Sequence, residues 1–258
     1  MGIVNATPDS FSDGGRRIDP DAAAAAARAM IAAGAAIVDV GGESTRPGAE
    51  PVPLEEELRR VVPVLERLAG EVLFSIDTSK AGVAQRALEL GAELVNDVTA
   101  LRGDPELARV LADSDAYLCL MHMRGEPRTM QLDPHYDDVA DEVARFLEER
   151  LEVAVGAGIG EKRICLDPGI GFGKTVAHNL ELVRRLDVLL ALGRPVLVGL
   201  SRKSVLGKVV GDAEARSGTA AASVGAAIAA FERGASIFRV HDVREHVEAL
   251  AAAAAVSA

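Results

Sequence analysis

Eight polar clusters, each directly behind a run of apolar residues, carry the groups in this sequence that could do chemistry. They are Asn5 with the loop NATPDSFSDGG, the GGESTRPGAEP segment, Asp77, Asn96 with Asp97, MHMRGEPRTMQ, Asp167 in DPGIGFGK, Ser201 and Lys203 in GLSRKS, and Arg239 with His241 in FRVHD. Asp77, Asn96 and Asp167 suit a flat heterocycle rich in N–H donors and ring acceptors. A carboxylate accepts two parallel N–H bonds from a guanidine-like edge, and an amide supplies one donor and one acceptor. Lys203 can donate to a carbonyl or ring nitrogen of the same molecule. Arg46, Arg239 and His241 with Thr45 form an anion pocket, because the planar guanidinium fork binds phosphate oxygens in pairs. Asn5 offers an amide oxygen to a hard cation, and Mg2+ commonly bridges one protein oxygen to substrate phosphates and water. Together these groups describe an enzyme acting on a flat heterocycle that carries a phosphate or diphosphate.

Each group has a plainer reading when taken singly. Asp or Asn after a strand more often caps the next helix, and Gly-Gly or Pro-Gly pairs usually mark turns. A lone His241 would be a hydrogen-bonded or surface histidine, and Phe11 and Phe172 would count as core. The plainer readings weaken because all eight strand ends carry such groups, and helix caps do not also require Arg, Lys and His at one rim.

The elements that must position them alternate in type. The runs GIVN, AIVDV, VLFSID, ELVND, AYLCLMH, RICLD, PVLVGL and SIFRV read as strands. Helical patterns lie between them, at roughly 19–33, 54–68, 80–90, 105–112, 137–157, 178–192, 219–233 and from 243 onward. Glycine just past many of them is the expected C-cap. Strict alternation implies a parallel sheet with helices outside it. Eight repeats in 258 residues match a single-domain (β/α)8 TIM barrel spanning 1–258. A doubly wound open sheet is the alternative, but no GxGxxG follows the first strand and no Walker loop occurs. In a barrel, the groups that act should come from the C-terminal ends of several strands, which is where these clusters lie.

Bulk properties narrow the classes. A net charge of −11 argues against a nucleic-acid or anionic-membrane surface, and leaves room for a small anion held by local Arg and Lys. Cys119 and Cys165 sit in apolar runs and read as buried free thiols. No segment reads as a signal peptide or a membrane span, so a cytoplasmic enzyme is the expectation.

The segments MGIVNATPDSFSDGG, IVDVGGESTRPGA, SIDTSK, ELVNDV, LMHMRGEPRTMQ, LDPGIGFGK, GLSRKS and FRVHDV, in this order, resemble the bacterial dihydropteroate synthase family. The resemblance implies a (β/α)8 barrel, usually a homodimer, that uses Mg2+. It joins 6-hydroxymethyl-7,8-dihydropterin diphosphate to p-aminobenzoate, in an SN1-like reaction that releases diphosphate. Carried over by position, Asp77, Asn96, Met121, Asp167 and Lys203 match the pterin site, and Asn5 matches the Mg2+ and diphosphate contact. Thr45, Arg46, Arg239 and His241 match the anion positions. Phe11, Pro47, Phe172, Ser201 and Lys203 match the p-aminobenzoate wall. Asp13 matches a first-loop carboxylate that helps stabilise the cationic intermediate, so the first loop should act as a flap. Ala6 and Val205 stand where the family more often has Val and Phe, and family members usually carry further residues before the first strand. Two rivals share the pterin site: a pterin-dependent methyltransferase barrel and a catalytically silent paralogue. The SRKS and RVH motifs disfavour the first, and intact Asn5, Asp13, Arg46, Lys203, Arg239 and His241 disfavour the second.

Overall fold

Each of the eight apolar runs forms a parallel strand in the computed structural model, which describes residues 1–7, 19–45, 48–212 and 214–257. The chain runs β1 (Gly2–Asn5), α1 (Pro20–Ala32), β2 (Val38–Gly41), α2 (Leu54–Leu68), β3 (Phe74–Asp77), α3 (Ala81–Glu89), β4 (Leu94–Asp97) and α4 (Leu107–Ala112). It continues with β5 (Tyr117–Met121), α5 (Val139–Gly156), β6 (Ile164–Asp167), α6 (Val176–Arg184), α7 (Leu186–Leu190) and β7 (Leu197–Val198). The last elements are α8 (Ser204–Val209), α9 (Ala220–Phe231), β8 (Ile237–Phe238) and α10 (Val243–Ser257).

Strands β1 to β6 pair in sequence order, and β7 pairs with β8. Two parallel bridges join these pieces into a ring, Leu166 with Val196 and Gly2 with Val240. The backbone bonds agree: Leu166 N–H donates to the Pro195 carbonyl at 2.9 Å, and Ile3 N–H to the Val240 carbonyl at 3.1 Å. Closure satisfies the edge groups that an open sheet would leave exposed.

The period of two along each strand sorts side chains to the two faces. Val38, Val40, Phe74, Ile76, Val95, Leu118, Leu120, Leu166 and Val198 point outward into one large core shared with the helices. Leu94, Cys119, Cys165 and Leu197 point inward and make a separate cluster with Met1, Ile37 and Ile237. Both faces are therefore buried, which is why the strands read as nearly continuous apolar runs. Cys119 and Cys165 are register partners within the inner cluster, buried and unbridged.

Local signals set most helix ends. Asp19 Oδ1 accepts from the Asp21 and Ala22 amides at 2.9 and 3.1 Å, with Pro20 in the first turn, and Asp138 caps α5 in the same way. Gly34 and Gly91 take φ of +102° and +99° past α1 and α3, a left-handed conformation that costs glycine nothing.

Two sequence expectations need correction. The helix expected at 178–192 is two, α6 and α7, broken at Arg185 (φ −110°, ψ 39°). The break lets Leu182, Leu186 and Leu189 all reach the core, while the Arg185 guanidinium pairs with Asp138 at 2.7 Å and Asp141 at 2.8 Å. The short α8 was not anticipated, because its six residues are too few to show a period.

Phe74 is the largest fully buried side chain and wedges the outer face of β3 against the helices. Replacing Phe74 with Ala is expected to lower the unfolding free energy by about 3–5 kcal/mol, read from urea denaturation.

Candidate active site

The same alternation that buries the apolar residues delivers polar ones to the barrel mouth. Asn5 is register partner of Gly41, Gly41 of Asp77, and Asp77 of Asn96, so the ends of β1 to β4 form one row. Met121 and Asp167 are register partners at the ends of β5 and β6. Gly41 leaves the gap in the row, since a Cβ there would stand 3.3 Å from the Asp77 Cβ. Asp97, one residue past Asn96, falls on the opposite face. Its carboxylate accepts from the Thr99 amide at 2.8 Å, the Thr99 hydroxyl at 2.7 Å and the Leu101 amide at 2.6 Å, so it fixes a turn. Asp97 thus serves the local backbone, although as the brace of a turn and not as the cap of α4, which begins at Leu107.

A residue that sequence reasoning missed organises this row. Asp39 is completely buried on the inner face of β2. It accepts from the Ser75 hydroxyl at 2.5 Å, the Asn96 amide at 3.0 Å and Arg239 Nε at 2.6 Å. The other arm of Arg239 donates to Asp77 Oδ2 at 2.7 Å. The signal was present, because a lone acid at the centre of AIVDV can be buried only with partners. Arg239, read as an anion-pocket residue, stands here forked between two carboxylates. Burial works against its charge, but Asp39 and Asp77 outweigh burial and hold the guanidinium above its ordinary pKa. Burial pushes the Asp77 carboxyl up to about 7 although Arg239 pulls the other way.

Lys203 and Asp167 form the second charged group. Burial lowers the Lys203 ammonium to about 8, with Asp167 opposing that shift. Burial likewise raises Asp167, against Lys203 and the Gly169 N–H, which donates to its Oδ1 at 2.7 Å. Lys203 Nζ lies 4.7 Å from the Phe172 ring centroid and donates to the Ile170 carbonyl. Asp39, Asp77 and Asp167 against Arg239 and Lys203 leave the mouth one negative charge when all are ionised. Such a mouth can receive N–H-rich rings and stabilise positive charge developing on them.

Farther round the rim, the Ser201 hydroxyl accepts from the His241 backbone N–H at 3.1 Å and lies 3.2 Å from its Nδ1. Thr45 is half-buried in the segment after β2. The base of that segment is anchored: Lys80 pairs with Glu43 and the buried Glu57, and Arg60 donates to the Gly42 carbonyl at 2.9 Å. Phe11, Asp13, Arg46 and Pro47, with the expected flap, lie outside the described residues. Among the described residues no group of three or more His, Cys, Asp or Glu is arranged to hold a metal ion. The half-buried Asn5 amide fits Mg2+ as one hard oxygen ligand, a donor set that such a cation completes with water and phosphate.

The chain matches the profile of the pterin binding enzyme family over residues 1–241. It is 48% identical over 254 residues to a dihydropteroate synthase of Escherichia coli strain K12, a match that covers 97% of this chain and 88% of that protein. A solved structure of Xanthomonas albilineans dihydropteroate synthase with 4-aminobenzoic acid aligns with a TM-score of 0.91 and 49% identity, covering 100% of this chain and 92% of that one. Another structure from the same organism, in complex with 7,8-dihydropteroate, aligns with a TM-score of 0.87 and 46% identity, covering 100% and 93%.

The raised Asp77 pKa has a stability consequence. A carboxyl that holds its proton more tightly in the native state costs the fold progressively more as pH rises from its unfolded pKa of 3.8 to about 7. Asp77→Asn removes that titration. Its melting temperature relative to the parent should therefore climb across this window and stay constant above it, measured by thermal unfolding at a series of pH values.

Proposed function

This chain belongs to the dihydropteroate synthase family of pterin-binding enzymes, and on that premise we propose that it joins 6-hydroxymethyl-7,8-dihydropterin diphosphate to p-aminobenzoate, forming dihydropteroate and releasing diphosphate. The observation that carries this reading is the inward row of Asp77, Asn96, Met121 and Asp167 at adjacent strand ends, with Lys203 beside Asp167. These groups match a pterin in type. Asp167 and Asn96 take its N–H donors and ring acceptors, Lys203 donates to its carbonyl or ring nitrogen, and Met121 supplies an apolar contact.

The reaction breaks the bond between the pterin methylene and the diphosphate oxygen, which departs with the electron pair. The ring delocalises the resulting positive charge, and Asp77, Asp167 and Asp13 stabilise it electrostatically. The neutral arylamine nitrogen then forms the new C–N bond and gives up a proton. Arylamines are nucleophilic without deprotonation, so no strong general base is required of the chain.

Thr45, Arg46 and His241 receive the developing charge on diphosphate, with Ser201 orienting His241, and Arg239, held between Asp39 and Asp77, adds its positive charge to that side of the mouth through space. Mg2+, held by Asn5 and the phosphates, would supply further charge neutralisation on the leaving group. Phe11, Pro47, Phe172 and Ser201 enclose p-aminobenzoate, and the loops after β1 and β2 exclude water that would otherwise trap the cation. We extend the family reading to a single catalytic domain over 1–258 acting as a homodimer in the cytoplasm. No helix among the described residues is long and apolar enough to cross a membrane.

Purified protein mixed with pterin diphosphate, p-aminobenzoate and Mg2+ should release diphosphate, and a folded protein that releases none above background would overturn the reading. Asp167→Asn is expected to raise the barrier by about 2.7–4 kcal/mol, the scale of one lost electrostatic stabiliser, seen as a fall in kcat of roughly 10²–10³. An unchanged Asp167→Asn rate would remove that carboxylate from the site.

A further inference from the structure

Five consecutive carbonyls in the loop after β6 each accept a donor from a side chain. Gly169 and Phe172 accept from Lys174 Nζ at 3.0 and 2.9 Å, Gly171 from Gln131 Nε2 at 2.6 Å, Gly173 from the Tyr136 hydroxyl at 2.9 Å, and Ile170 from Lys203. Gly169, Gly171 and Gly173 take φ of +66°, +84° and +64°, which turns successive carbonyls toward different neighbours. Ile170 anchors the loop in the core and Phe172 packs against Met121, Met123 and Met130, while its glycine backbone is held by these donors.

Lys174 differs from the other donors. It is 3% exposed, and among the described residues its hydrogen-bond partners are all neutral: the two loop carbonyls, the His122 carbonyl at 3.4 Å and His122 Nδ1 at 2.8 Å. A lysine amine buried without a carboxylate partner is a costly group to keep. Burial lowers its pKa well below the ordinary value, and burial with the Lys174 charge holds His122 neutral, at about 2. With the Lys174 ammonium as donor, His122 Nδ1 is the acceptor, and its ring is fixed edge-on against Phe146, with centroids 4.8 Å apart. The β5 exit and the β6 loop touch closely here, since a Cβ at Gly169 would come within 1.8 Å of the His122 carbonyl. Lys174 therefore lies behind the loop and ties it to β5. On the loop's other side stand the Phe172 ring and Lys203.

We propose that Lys174 is a positioning residue for the second substrate: by tying the Gly169 and Phe172 carbonyls to His122, it holds the Phe172 wall and the resting place of Lys203. Lys174 itself touches no substrate. The inference rests on the proposed synthase function for its effect on catalysis, but not for its effect on the loop.

The test compares the parent with Lys174→Met, His122→Leu and His122→Asn, the last keeping an oxygen acceptor near the Nδ1 position. Without ligands, hydrogen exchange at the Gly169, Gly171 and Phe172 amides should accelerate about tenfold or more in Lys174→Met and His122→Leu, and stay near the parent rate in His122→Asn. In steady-state assays the KM for p-aminobenzoate should rise about tenfold or more in the first two variants, and the KM for pterin diphosphate by no more than about threefold. Unchanged exchange would overturn the proposal. So would an equal rise in both KM values, a fall in kcat alone, or His122→Asn behaving like His122→Leu. If Lys174→Met does not fold, the His122 pair decides. If the parent releases no diphosphate, the synthase reading fails and the exchange pattern alone decides the role of Lys174.

Discussion

The Arg239 guanidinium joins the last strand to the second and third across sequence separations of 200 and 162 residues. This arrangement exists only after the sheet closes, because Arg239 follows β8, which is brought beside β1 through the Gly2–Val240 bridge. Once formed, it allows two acids to occupy the barrel interior. Without it, Asp39 and Asp77 would carry a desolvation penalty on the order of several kcal/mol per ion. Asp39 passes the constraint on, because it also fixes Ser75 and the Asn96 amide. The orientation of the polar row at the mouth therefore depends on a contact made at the seam of the barrel.

Below that seam the interior is apolar, built from Leu94, Cys119, Cys165 and Leu197 with Met1, Ile37 and Ile237. Above it the ends of β1 to β6 turn Asn5, Gly41, Asp77, Asn96, Met121 and Asp167 inward. The change from apolar to polar along single strands confines the chemistry to one end. It also gives that end the low-dielectric floor on which a few charges have large effects. Asp77 near 7 and Lys203 near 8 are products of this setting, since burial is the largest cause of both shifts.

The loops are held by a different kind of interaction. The β2 segment is anchored at its base by Lys80 between Glu43 and Glu57, and the β6 loop by Lys174, Lys203, Gln131 and Tyr136. Both segments are rich in glycine, so hydrogen bonds to the backbone add to the packing of the few apolar side chains, Ile170 and Phe172 in the β6 loop. Of the residues making these bonds only Lys203 was assigned a role from the sequence.

Much of the fold was legible in the residues alone. Strand runs, helix periods and the caps at Asp19, Asp138 and Gly34 are short-range signals, and they led to eight strands in the right order. The split at Arg185 was not legible, because tertiary packing of Leu182, Leu186 and Leu189 overrides local period there, and α8 is too short to show a period. At the site, residue types and their position behind strands were enough to place Asp77, Asn96, Asp167, Lys203 and Arg239 at one end of the barrel, and the motif set pointed to the family. What the sequence by itself determined is the kind and order of elements and the chemistry available at the strand ends, since both follow from near neighbours along the chain. Only the tertiary structure decided that Asn96 faces the mouth while Asp97 caps a turn, that Asp39 is the hub, and that Lys174 lies behind its loop. Those outcomes depend on which residues closure brings together, and a pairing across 200 residues leaves no local trace in the sequence.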